Sequence, residues 1–556
     1  MNKKKIYRRL LVGLISFLLL LFTIHYTLFP SHSSIPTQFQ TTQVPPTIYP
    51  DYIDVTVPVN IAPLRFELLV GVDEAVTRFA VKGQQAQEVI CEGIKVCPSI
   101  DEWRTLTAAA KGRSIDVEIY VRKADNWLRL QPFQIHVSKD SIDPWLSYRM
   151  ISPSYVAYEE LTINQRCLEN FDEQVIVDNM LCSTEAGGQC INCHNYQNYN
   201  PRRMQFHARQ THGGTVIAYD DSIYKVDMKT AATLSAGTYP AWHPTLPLIA
   251  YSVNKTMQAF HTSDLDKIEV LDSESDLALY DVKRGELKTV DQQTDELEIF
   301  PCWSPDGRWL YFCSAHFTYQ PYRQDSVTHK IYVDTRTPEQ EIIMRSKELK
   351  YKLYRLPFDS KTMTFGEREL VYDPTTYDRS VTLPRISPDG RWLIFTVGRY
   401  GCFHIWHRDA DLWMLDLEAF DKLVGVDEST RMAAVQNPSA QSLIDAGIMR
   451  PIDEVNSDNV ESYHTWSSSG RWVVFSSRRT DGVYTRPFIA HFDKDGHGSK
   501  PFELPCADPD YHRQFMKSYN IPEFMRGPVT VKPQTIAKIL KNDDVEPVKY
   551  VQKLHR

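Results

Sequence analysis

The densest chemistry in this chain lies in five consecutive residues, Cys190-Ile191-Asn192-Cys193-His194. Two thiols separated by two residues and followed directly by a histidine form the pattern by which a c-type haem is attached. The thiols would add to the two vinyl groups of one porphyrin, and the histidine ring would ligate the iron. A sixth ligand is then required, and Met204, His207 and His212 follow closely enough to supply it. With His194, Met204 and His207 are the first choices for the metal, and His212 ranks second. Tyr196, Tyr199 and Phe206 would wall the ring, while Arg202, Arg203 and Arg209 would pair with its propionates. The competing reading is a disulfide, either within the pair or from one thiol to Cys182. A thioredoxin-like pair lacks its βαβ surroundings. A zinc site lacks a second Cys/His pair at finger spacing.

Other clusters read more simply. His404, His407, Asp409 and Asp411 could hold a metal or supply a distal haem ligand, so His404 and His407 stand as second-rank sites. Yet Asp411-Leu412-Trp413 has the pattern of a strand, which would put His407 in a loop before it. Asp493-Lys494-Asp495-Gly496-His497-Gly498 starts like a calcium loop but lacks the acidic twelfth ligand, so turn chemistry accounts for it. Arg478-Arg479 reads as a solvated rim, with an anionic ligand as the alternative. No nucleophile elbow, zincin helix or phosphate-binding loop occurs, so no catalytic constellation emerges and a non-enzyme is expected.

These residues must be held by something, and the chain begins with an address. Lys3, Lys4, Lys5, Arg8 and Arg9 precede an apolar run from Leu10 to Leu28. A helix of that length crosses the hydrocarbon layer at about 1.5 Å per residue. The basic tip should stay cytoplasmic, placing the rest of the chain on the far side of the membrane. No small-x-small site closes the run, so residues 1–30 read as an uncleaved anchor in the inner membrane, with a cleaved signal peptide as the alternative. The full chain of 556 residues has a net charge of −8, and the body without that tip is more acidic still. With no basic tract, nucleic acid is an unsuitable partner. Ten cysteines suit an oxidising compartment. Cys91 with Cys97, and Cys167 with Cys182, would close short loops. Cys302 and Cys313 should not pair, because a two-residue hairpin tip at Pro305-Asp306 would set Cys302 opposite Trp309.

Residues 31–50, rich in Pro, Thr and Gln, form a spacer. Residues 51–142 alternate with period two, as in Arg65–Val70, Asp116–Val121 and Phe133–Val137, and predict a β-sandwich. A helix is expected over Glu102–Lys111. Residues 143–213 read as a connector bearing the Cys-x-x-Cys-His motif, and 506–556 as a tail or strap. Between them lie repeats: Phe300-Pro301-Cys302-Trp303-Ser304-Pro305-Asp306-Gly307-Arg308-Trp309, Leu383-Pro384-Arg385-Ile386-Ser387-Pro388-Asp389-Gly390-Arg391-Trp392 and Tyr463-His464-Thr465-Trp466-Ser467-Ser468-Ser469-Gly470-Arg471-Trp472. A worn copy starts at Tyr239-Pro240-Ala241-Trp242. Each is strand, tight turn, strand, with Pro presetting the turn and Asp-Gly tolerating its remaining dihedrals.

These copies resemble the TolB-type, WD40-like propeller repeat of bacterial envelope proteins. The resemblance implies an all-β fold with a TolB-like β-propeller over 214–505. Consecutive copies lie further apart than the period of about 40–45 residues of a blade. Degenerate blades are therefore expected between the clear ones, six blades fitting best and seven being the alternative. Two functions follow from the whole reading. One is a membrane-anchored propeller bearing one haem c on Cys190, Cys193 and His194, used for electron transfer or redox sensing with a redox partner. The other is an envelope interaction scaffold that binds protein or glycan partners, with Cys190 and Cys193 oxidised to a disulfide.

Overall fold

The computed structural model describes residues 35–551, apart from 84–85, 153–159, 184–188, 231–232, 234, 262, 292, 294, 334, 426–439, 543 and 546. The apolar run Leu10–Leu28 lies outside the described residues, among which no helix is long and apolar enough to cross a membrane.

The N-terminal module is two sheets and one helix. Arg113–Lys123 is the spine of a seven-stranded sheet, pairing with Glu74–Val81, Asn126–Arg129 and Phe133–Val137. Ile48–Tyr49, Phe66–Leu68 and Lys95–Val96 form a smaller sheet. Phe133, Ile135 and Val137 are buried while Gln134 is exposed, so the period-two alternation sets one face inward. The helix Ile100–Ala110 begins two residues earlier than expected, because Ser99 and Glu102 form a reciprocal capping box. Its Trp103 is fully buried and donates its indole N–H to the Ile61 carbonyl at 3.1 Å.

Beyond Asp143 the chain is predominantly antiparallel sheet of four strands at a time. The edge strands that matter most are β1 (Gln189–Tyr196), β2 (Gly237–Trp242), β3 (Glu296–Trp303), β4 (Ser380–Ile386), β5 (Glu461–Trp466) and β6 (Ser518–Met525). β1, β4, β5 and β6 each head a four-stranded sheet, while β2 and β3 begin the two halves of a ten-stranded sheet joined by the single parallel bridge of Ser275 with Leu297. The contacts run β1 to β2 to β3 to β4 to β5 to β6 and back to β1. The result is a closed ring of six sheets in a propeller-like arrangement, with the six edge strands innermost. Its last sheet is assembled from both ends of the ring: β6 pairs antiparallel with Trp145–Ile151, followed outward by Thr162–Cys167 and Glu173–Asp178.

Several expected boundaries change. Residues 143–213 are no connector, since they supply the outer strands of the closing sheet and the start of the next one. Within the expected tail, β6 is an innermost strand. The wide repeat spacing does not hide degenerate blades. It reflects insertions within sheets, such as the hairpin Tyr322–Gln324/Ile331–Val333 and the helices Pro338–Met344 and Leu417–Gly425. The turn of the clear repeats is also longer than two residues: Trp309 N–H donates to the Ser304 hydroxyl at 3.0 Å and Ser304 N–H to the Trp309 carbonyl at 2.9 Å. Cys302 therefore pairs with Tyr311, not Trp309. All ten cysteines stand as free thiols, including every pair considered above.

Adjacent sheets are stapled by tryptophan. Trp303 on β3 donates to the Ala241 carbonyl on β2 at 3.1 Å, and Trp466 on β5 to the Arg385 carbonyl on β4 at 3.3 Å. The N-terminal module shares one core with the ring, in which Phe66, Phe79 and Trp103 belong to the same cluster as Trp472, Ile489, Tyr519 and Phe524.

Candidate functional site

Every innermost strand carries one non-glycine residue with positive φ: Cys193 (57°), Tyr239 (46°), Phe300 (54°), Leu383 (55°), Tyr463 (49°) and Ile521 (53°). The ladder register breaks at the same place in each strand, so every one is a bulge. The next residue is His194, Pro240, Pro301, Pro384, His464 or Pro522. Cys193-His194 thus occupies the position held elsewhere by an apolar residue followed by Pro or His. Its conformation is accounted for by the ring. Cys193, Tyr239, Phe300, Leu383, Tyr463 and Ile521 line one axial cavity of about 30 Å³, with His194, Asn195, Arg385 and Glu523. That volume holds about one water.

His194 is buried, with the backbone of Ile521 and Ser147 beside its ring. Burial first, then the charge of Arg149, pushes its pKa down to about 3, so the ring is neutral. Glu523 accepts from Asn195 at 3.1 Å, and burial raises its carboxyl above the usual range.

These residues do not fit a haem. The cavity beside Cys193 and His194 has no room for a porphyrin, and Cys190 lines instead the larger cavity that adjoins it. The proposed sixth ligands are committed elsewhere. Met204 packs in a core cluster with Tyr196 and Phe206. His207 is buried opposite Asn192 and Thr215, its pKa pushed down to about 3 chiefly by burial. His212 is buried as well. Arg203 pairs with Asp220 at 2.7 Å and Arg202 with Asp221 at 2.5 Å. Of the residues considered for propionates, Arg209 alone faces the larger cavity.

The second-rank histidines are structural. His404 Nδ1 meets the Thr382 hydroxyl at 3.1 Å and its Nε2 the carbonyls of Tyr400 and Gly401. His407 Nε2 lies 2.9 Å from Glu269. Among the described residues, no three His, Cys, Asp or Glu side chains come together in a way that could hold a metal. Asp493 accepts from the backbone of Asp495 and His497, which is turn chemistry.

The larger cavity, about 570 Å³, shares Tyr239, Tyr463 and Ile521 with the axial one and widens from it over the ring. Five of the six sheets contribute. The long hairpin Leu248–Phe260/Ile268–Asp281 reaches in with Thr256, Gln258, Phe260 and Lys267. Trp406 comes from a single turn, His404–Trp406. Four cations line it, Arg149, Arg209, Lys267 and Arg478, and among the described residues no Asp or Glu does. Sequence reading set Arg478 on a solvated rim, but it is 3% exposed and its guanidinium lies 3.3 Å from the centroid of the Trp406 ring. Burial lowers its pKa to about 9. Arg479 is committed to Glu461 at 2.8 Å.

Sequence reading also missed a buried group where the N-terminal module meets the ring. Cys506 Sγ lies 3.4 Å from His512 Nε2, and His512 Nδ1 lies 2.5 Å from Glu503. Arg166 approaches the sulfur at 3.6 Å. The thiol pKa is lowered by His512 and Arg166 against its own burial. His512 is pushed up to about 9 by Cys506 and Glu503, again against burial. The order is that of nucleophile, base and orienting carboxylate. All three are buried, and Tyr49 donates to Glu503 at 3.1 Å, which ties the N-terminal module to the group. The only sequence signal was the spacing Glu503-x-x-Cys506-x5-His512.

No family model and no curated protein matches the chain. Solved structures that resemble it include prolyl oligopeptidase B from Galerina marginata bound to a 25mer macrocyclization substrate, at 8% identity and TM-score 0.32, covering 69% of this chain and 42% of that one. A Mycobacterium tuberculosis puromycin-hydrolyzing peptidase gives 11% and 0.31, covering 84% and 57%. The β-propeller domain of Myceliophteria thermophila Cps50 gives 12% and 0.26, covering 56% and 85%. The chain thus spans about two fifths of the length of the prolyl oligopeptidase it matches. At these TM-scores, fold and activity rest on this chain's own residues.

Proposed function

We propose that this protein is a binding scaffold of the bacterial envelope: a six-bladed TolB-like propeller, tethered by Leu10–Leu28 to the inner membrane, that takes a glycan at one mouth of its ring. The observation that carries this reading is the lining of the 570 Å³ cavity. Pockets of this size hold drug-sized ligands, here about two to three sugar rings. Tyr239, Phe403, Trp406, Tyr463 and Tyr484 offer flat apolar faces. Asn192, Gln210, Gln258 and Asn520 bring amides that both donate and accept hydrogen bonds, as a polyhydroxylated ligand needs. In this reading Cys190 and Cys193 serve as free thiols of an innermost strand.

Glycan-array screening of the full chain in detergent tests this. Binding that is lost in Trp406→Ala supports it, and capture of proteins with no oligosaccharide bound overturns it. Expression alongside a haem-ligation system followed by haem staining of the denatured protein should give no signal. Covalent haem on Cys190 or Cys193 would restore the electron-transfer reading.

A further inference from the structure

The cavity's charge says more than its size. Arg149 is 6% exposed, its Nε has no hydrogen-bond partner, and it makes no ion pair among the described residues. Arg478 is buried as deeply, and its bonds go to the neutral carbonyls of Ile405 and Val483. Asp481 acts on it only from beyond hydrogen-bond distance. Arg209, opposite Cys190 on the neighbouring strand, adds a third guanidinium. The carboxylate that acts on Arg209, Asp272, is already held by Asn254 at 2.7 Å and Thr256 at 2.7 Å. A buried cation is normally paired, because taking its charge out of water is costly unless an anion replaces the solvent. In an acidic protein, three arginines from three sheets converge on one cavity, and among the described residues no carboxylate lines it.

Resting on the glycan reading above, we infer that the ligand is an acidic saccharide whose carboxylate or phosphate is gripped by Arg149, Arg209 and Arg478 while its rings lie against Trp406, Tyr463 and Tyr239. The planar guanidinium fork matches both anions, so the two sources share one chemistry. Stacking on Trp406 fixes the plane of the Arg478 fork before the ligand arrives.

Three probes, titrated into the full chain by calorimetry and ligand-observed NMR, separate the possibilities. They are trigalacturonic acid, its neutral methyl ester, and glucose 6-phosphate. The acid or the phosphate should bind at least tenfold more tightly than the ester, and whichever dominates identifies the anion. Arg149→Gln and Arg478→Gln should each erase that preference. Arg209 is only partly buried, so Arg209→Gln keeps the test alive if the deeper variants fail to fold, and it should narrow the preference several-fold. Binding of both the acid and the phosphate no tighter than that of the ester overturns the anion assignment and leaves the glycan reading standing. No binding of any probe overturns both.

Discussion

Asp272 stands behind Arg209, fully buried, its carboxyl pushed up to about 6 by desolvation despite hydrogen bonds from Thr256 and Asn254. An unfolded Asp titrates near 3.9. Between that value and about 6 the folded chain holds more protons than the unfolded one, so stability falls as pH rises through this window and the penalty persists above it. Asp272→Asn, which can accept from Asn254 and donate to Thr256, should therefore stabilise the protein by about 1–3 kcal/mol at pH 7.5 and by almost nothing at pH 4. Thermal melts at the two pH values measure this, and an equal effect at both would refute it. Legibility at this scale was uneven. Cys190, Cys193 and His194 were visible as a motif, but spacing alone does not reveal that a bulge, repeated in six strands, dictates the Cys193-His194 backbone. The pairs Tyr239-Pro240, Phe300-Pro301, Leu383-Pro384 and Tyr463-His464 were in view and were the signal for it. Arg149, by contrast, has no sequence mark at all, because what distinguishes it is its burial without an ion-pair partner among the described residues.

Turns and strands were easier to read where backbone geometry demands particular residues. Ser304, Ser387 and Ser467 each accept from the N–H of a tryptophan five residues on, and Gly307, Gly390 and Gly470 each adopt positive φ. That demand is why three hairpins stood out. The outer strands between them carry no such signature, and insertions spread them further. The turns also differ in what surrounds them. A Cβ on Gly307 would lie 2.4 Å from the buried His243 ring, whereas one on Gly390 meets nothing within 4 Å. Gly390→Ala should cost about 1 kcal/mol for its φ alone. Gly307→Ala adds a steric clash and should cost about 2–4 kcal/mol. Urea midpoints of the two variants give the comparison, and equal losses would mean that His243 yields freely.

The ring is closed by hydrogen bonds between parts of the chain more than 350 residues apart, with Trp145 opposite Met525 and Met150 opposite Tyr519. Truncation after Phe515 removes β6 together with the helix Pro533–Leu540 that packs in the same core, keeps His512, and leaves Trp145–Ile151 as an open edge. We expect a Tm lower by more than about 10 °C and a broadened melt, because the neighbouring sheets lose their shared inner wall. An unchanged, sharp transition would show that closure contributes little. This closure also sets an order of events during synthesis. At about 5–20 residues per second, the Trp145–Ile151 strand emerges roughly 20–75 s before its partner β6 is made. Throughout that interval the nascent chain carries an unmatched strand edge, a natural footing for a chaperone and a point where two chains could exchange their final strands.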